Sequence, residues 1–152
     1  MRSPARLRRR CRSRPGLSPG EDVSTPAAQI VEASLERLVA RAGDPLAEVY
    51  RRMFAEFPQT EARFVRDVSG EIRAEMLTMI FQCLMDPDGP YQLNLVRAER
   101  VNHDGFGTPS DEFDRFFWIV LETCRDLSGP DWTDEVEAAW QAQIALVLTR
   151  TA

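Results

Sequence analysis

The chain has 152 residues, 43% of them hydrophobic and 28% charged, the length and composition of one soluble globular domain. All nineteen basic residues are arginine and seven fall within the first fourteen positions, while from Pro15 onward twelve arginines face twenty-four acidic side chains. Nucleic acid and anionic lipid are therefore excluded as partners, because binding either requires phosphates to be neutralised, and no apolar run approaches the ~18 residues of a membrane span.

Residues 1–22 are rich in Arg, Pro, Gly and Ser and nearly free of apolar side chains. They cannot offset the entropy of ordering, and a disordered basic leader is expected. Without an apolar central segment they do not read as a secretory signal. Cys11, Cys83 and Cys124 are odd in number and show neither CxxC nor Cys/His spacing, which argues against a disulfide framework or a zinc site and fits a reducing cytoplasm. Residues 23–152 are expected to form the single domain.

From Ser24 the pattern is helical, with no convincing strand. Pro26 opens a segment carrying Ile30, Leu35, Leu38 and Val39 that stops at Gly43. Asp44-Pro45 supplies an N-cap and a first-turn proline for a second helix bearing Leu46, Val49, Tyr50, Met53, Phe54 and Phe57. A short turn over residues 59–64 follows. Ser69-Gly70 starts a third helix, with Ile72, Met76, Met79, Ile80 and Cys83 on one stripe, and Asp86-Pro87-Asp88-Gly89-Pro90 ends it. A fourth, over residues 92–102, leads to His103 and the breakers Asp104-Gly105-Phe106-Gly107-Thr108-Pro109. A fifth carries Phe113, Phe116, Phe117, Trp118, Val120 and Leu121, and a sixth, capped at Trp132-Thr133, begins at Asp134. The expected class is all-α with six main helices.

His103 is the one histidine of the chain. Alone, an imidazole at a helix end reads as a capping or surface residue, and Tyr50 or Phe64 alone reads as core. Two stretches give these residues a shared register. VYRRMFAEFPQTEARF places Pro58 eight residues after Tyr50 and Phe64 six after Pro58. RAERVNHDGFGTPSDEFDRFFWIVLETCRDLSGPDWTDEVEAAW places Gly107 four and Phe113 ten residues after His103, followed by Trp132-Thr133 and Ala139-Trp140. In these stretches, and over residues 23–148 as a whole, the chain resembles the bacterial single-domain globins.

The resemblance implies a globin-like fold, six main helices around a haem pocket, with one b-type haem (iron protoporphyrin IX) whose metal is bound by His103. It implies that Pro58 opens a short tight helix, that Phe64 packs on the haem face and that Tyr50 points into the pocket above the iron. Ile72 or its neighbour Arg73 takes the family's distal place, Ile72 being preferred, with Met76 and Ile80 one and two turns further along. Phe106, Phe113 and Phe117 are expected to line the pocket; Arg97 and Arg100, within two turns before His103, are candidates to meet the haem propionates, a solvated charged face being the competing reading for at least one. Phe113 stands where flavohaemoglobins have a proximal tyrosine.

The chemistry is consistent with that assignment. A ferrous porphyrin needs one strong axial nitrogen and an apolar slot. A neutral imidazole that offers one nitrogen to iron donates its other N–H, commonly to a carbonyl one turn back, which makes the Glu99 carbonyl the first candidate. Without a second histidine, distal hydrogen bonding falls to the Tyr50 phenol. The implied function is reversible binding of oxygen or another diatomic gas, nitric oxide or carbon monoxide, rather than catalysis. Two alternatives stay open: a nitric oxide dioxygenase served by an external reductase, and a haem-based sensor or haem-free globin-like interaction domain. The aromatic excess of the fifth helix leaves room for contact with a second subunit in a homodimer.

Overall fold

The structure, a computed structural model, describes residues 25–90 and 92–152; the expected leader and Cys11 lie outside them. Six α-helices follow in chain order: α1 (Pro26–Ala42), α2 (Leu46–Glu56), α3 (Glu71–Met85), α4 (Gln92–Gly105), α5 (Ser110–Ser128) and α6 (Asp134–Thr151), with 3-10 turns at Pro58–Phe64 and Gly129–Asp131. The described residues contain no strand, so the class is all-α. No helix among them is long and apolar enough to cross a membrane.

Local chemistry explains the helix starts. The Thr25 hydroxyl accepts the Ala28 N–H with Pro26 in the first turn, and Asp44 Oδ1 accepts the Leu46 N–H at 2.9 Å; both supply partners for amides that a helix leaves open. The Thr133 hydroxyl does the same for Val136 at α6. Gly43, at φ +80°, closes α1 in a conformation that a Cβ would strain.

Two expectations are corrected. Leu35 and Leu38 of the predicted stripe are buried, with Ala28 and Val31, and Ile30 packs against the core, whereas Val39 is 53% exposed; α1 packs on α6, α5 and α3. The fourth helix does not stop at Asn102. It runs to Gly105, placing His103 inside its last turn, because the Asn102 and His103 carbonyls find partners in the amides of Phe106 and Thr108 and the chain turns only at Gly107, φ +87°.

α5 is the central element. Phe116, Phe117, Ile119, Val120, Leu121 and Cys124 are buried around much of its circumference, and it touches α1, α2, α4 and α6. α3 packs on α1, α2, α4 and α6, and α4 packs on α3, α5 and α6. This leaves α2, the turn after it, and the facing sides of α3, α4 and α5 around a space that the core does not fill.

Candidate functional site: an apolar cavity with one imidazole

That space is a cavity of about 650 Å³, walled mainly by apolar side chains of α2, the Pro58–Phe64 turn, α3, α4, the corner after α4 and α5. It falls within the ~300–1,000 Å³ common for sites that enclose an organic ligand. Of the residues singled out from the sequence, His103, Tyr50, Phe64, Ile72, Met76, Ile80, Phe106, Phe113 and Phe117 all line it. Arg100 does not. Its Nη1 lies 2.6 Å from Asp114 Oδ1, its Nε donates to the Thr151 carbonyl, and its guanidinium covers the outer face of Phe113 at 4.8 Å. Arg97 is likewise engaged, with Asn94 and the Arg150 carbonyl.

His103 Nδ1 sits 2.7 Å from the Glu99 carbonyl one turn back. A carbonyl oxygen only accepts, so Nδ1 is the protonated nitrogen, and in the neutral ring the lone pair is then on Nε2. Phe113 meets the ring edge-on at 5.2 Å. The imidazole is thereby fixed in tautomer by its own helix and in tilt by α5, which is how a nitrogen donor is pre-set for a metal.

Tyr50 is buried on α2 among the rings of Phe54, Phe64 and Phe116, 5.4–5.7 Å away. Burial pushes its phenol well above the usual tyrosine range, so the group is a neutral donor at any working pH. Its hydroxyl donates to the Arg73 carbonyl at 3.4 Å and approaches Met76 Sδ at 3.8 Å. Both distances exceed those of a good hydrogen bond, so the donor is weakly held. Ile72, half-exposed at 52%, comes to the cavity wall, and Arg73 is not among the lining residues.

Arg73 is held elsewhere. The Asp67 carboxylate, 2% exposed, accepts the Ile72 amide on Oδ1 and both the Arg73 amide and Nε on Oδ2, and Arg73 Nη2 donates to the Asp67 carbonyl. Gly70 precedes α3 and brings no side chain, so Asp67 caps that helix from outside it. Burial alone would raise its carboxyl, but the two amides and the guanidinium outweigh burial and hold it below the usual carboxylate range. A depressed folded-state value stabilises the protein above the unfolded value of ~3.9, and that contribution is lost as pH falls through the folded-state value. Asp67→Asn is therefore expected to be less stable than the parent at pH 7, with the gap closing below about pH 4; urea unfolding at both pH values measures it, and a gap independent of pH would contradict the assignment.

Several wall residues have no local sequence signature. Arg63 donates to the Gly107 carbonyl at 2.8 Å and to the Thr108 hydroxyl, tying the turn that bears Phe64 to the corner after His103. Its partners lie 44 and 45 residues away, beyond any helical or turn pattern. Among the described residues Arg63 is the only arginine lining the cavity, beside the carboxylates of Glu75, Glu99 and Glu112. Met53 and Met79 add to the wall, whereas Met85 packs against the core instead.

The remaining reactive groups lie apart. Cys83 and Cys124 are free, and burial pushes their thiols up to about 11 and about 12, which makes both inert packing residues at neutral pH. Among the described residues no three His, Cys, Asp or Glu side chains converge as metal ligands; His103 is a single nitrogen donor in an apolar wall. No protein-family model, curated protein or solved structure matches this chain, and the chemistry of the cavity has to be read from the residues that line it.

Proposed function

We propose that the chain is a globin-like protein that binds one b-type haem in this cavity through His103 and, through the haem iron, reversibly binds oxygen or another diatomic gas. The observation that carries the reading is the His103–Glu99 hydrogen bond at the wall of the apolar cavity: it leaves the free Nε2 lone pair that a porphyrin iron requires of a neutral imidazole. The donor set fits haem in number and type. One nitrogen, an aromatic and aliphatic wall and one phenol donor would suit a macrocycle that itself supplies most of the metal's ligands.

When bound, haem supplies the iron that takes up the diatomic ligand. The chain does the rest. His103 holds the group by a nitrogen whose orientation Phe113 limits. Phe64, Phe117, Ile80 and Met76 exclude water. Tyr50 turns a neutral O–H from its weak resting acceptors toward a ligand in the cavity. Arg63, rather than Arg100 or Arg97, is the cation placed to meet a propionate. In this reading an external reductase would serve only to keep the iron ferrous.

Titrating haem into the purified chain is expected to reach saturation at one equivalent and to give a ferrous spectrum that shifts reversibly with oxygen and with carbon monoxide. Uptake without saturation, or a spectrum identical to that of free haem, would overturn the proposal.

A further inference from the structure

The cap that Asp67 forms lies directly behind the cavity's one phenol donor. Asp67 gathers the turn that follows Phe64 and the first turn of α3 into one unit. Its amide donates to the Phe64 carbonyl at 2.9 Å, its own carbonyl receives Gly70 N and Arg73 Nη2, and its carboxylate receives Ile72 N, Arg73 N and Arg73 Nε. Three of these bonds end on Arg73, whose carbonyl in turn accepts the Tyr50 hydroxyl. Phe64 and Ile72, at the two ends of the unit, are themselves cavity wall. A buried carboxylate with this many donors is rigid, and a rigid neighbour is what a weakly held donor needs if its resting position is to be defined.

We propose that Asp67 is a positioning residue for Tyr50: by capping α3 and anchoring Arg73 it holds the carbonyl on which the Tyr50 hydroxyl rests, and so sets how readily that hydroxyl turns to a ligand. This rests on the haem-binding reading for its functional consequence, though not for its structural one. The Arg73 carbonyl competes with a cavity ligand for a single proton. Loosening the cap weakens the competitor, and the ligand then keeps the donor for a larger share of the time.

The test is a double-mutant cycle on the haem-loaded ferrous protein, reading the oxygen-dissociation rate. Asp67→Asn is expected to slow dissociation about two- to tenfold, the range set by the ordinary net strength of one hydrogen bond, and to have no effect in a Tyr50→Phe background. Arg73→Gln, which keeps the carbonyl and the carboxylate cap but removes the guanidinium anchor, is expected to act in the same direction and less strongly. An unchanged or faster rate, or the same change with and without the Tyr50 hydroxyl, overturns the proposal. A second readout needs no haem. The chain has two tyrosines, Tyr50 and Tyr91, so in a Tyr91→Phe background the ultraviolet resonance Raman tyrosine doublet reports Tyr50 alone. It is expected to show a donor phenol that weakens on Asp67→Asn; an unaltered doublet overturns the positioning role. If the chain takes up no haem while the doublet still responds, the functional reading fails and the positioning role stands.

Discussion

Tyr50→Phe is expected to speed oxygen release from the haem-loaded protein by about tenfold to a hundredfold, corresponding to the ~1.5–3 kcal/mol of a hydrogen bond to a partner carrying charge. The substitution isolates one atom. The ring is enclosed by Phe54, Phe64 and Phe116, and phenylalanine keeps those contacts. The lost resting bonds were long, at 3.4 and 3.8 Å, so folding stability should change by less than about 1 kcal/mol. Because burial raises the phenol's ionisation far above neutrality, the parent's release rate should show no step near neutral pH assignable to Tyr50. Carbon monoxide, less polarised when bound, is expected to respond more weakly than oxygen. Stopped-flow displacement measures both rates, and an oxygen rate equal to the parent's would remove Tyr50 as the donor.

Trp140→Ala is expected to cost about 3–5 kcal/mol of stability, the range for truncating a large buried aromatic. Trp140 is fully buried in α6, between Phe81 of α3 and Trp132, with ring centroids 6.4 and 5.5 Å away. Its Nε1–H donates to the Ser34 hydroxyl of α1 at 2.9 Å, and that hydroxyl donates onward to the Val31 carbonyl. The side chain thus joins three helices by packing and two of them by a buried hydrogen bond. Against a total of ~5–15 kcal/mol for a domain, the loss is large. Trp140→Phe keeps one aromatic ring but loses the indole donor and part of the packing volume, so a smaller loss of about 2 kcal/mol is expected. Urea midpoints at an unchanged slope separate the two variants; a midpoint for Trp140→Ala within error of the parent would contradict this account of the core.

Most helix boundaries were legible because their causes are local. Thr25-Pro26, Gly43, Asp44-Pro45, Gly70 and Thr133 act within a few residues of themselves, and the structure starts or stops a helix beside each. The end of α4 was not: the breakers Asp104-Gly105 suggested a stop at Asn102, but the helix continues through both and closes only where the Phe106 and Thr108 amides meet its last carbonyls. On α1, Leu35 and Leu38 were read correctly and Val39 was not, since three neighbours, α3, α5 and α6, choose the buried face together. In the cavity, the aromatic and aliphatic wall followed from register, and the Glu99 carbonyl followed from helical geometry alone. The directions of the arginine side chains were not legible. Arg100 stands at helical spacing from His103, but its partner Thr151 lies 51 residues downstream, and Arg63 meets Gly107 and Thr108, 44 and 45 residues on. A charged side chain's direction is settled by whichever tertiary partner reaches it, and spacing along one helix carries no trace of that.

The central claim is that His103 offers Nε2 to a haem iron, and His103→Gly tests it by leaving a hole where the imidazole stood. With haem added, the glycine variant is expected to lose the parent's ferrous spectrum and to regain it when free imidazole is supplied, since the small molecule replaces the ring without the backbone link. A glycine variant whose haem spectrum matches the parent's before imidazole is added would contradict the claim.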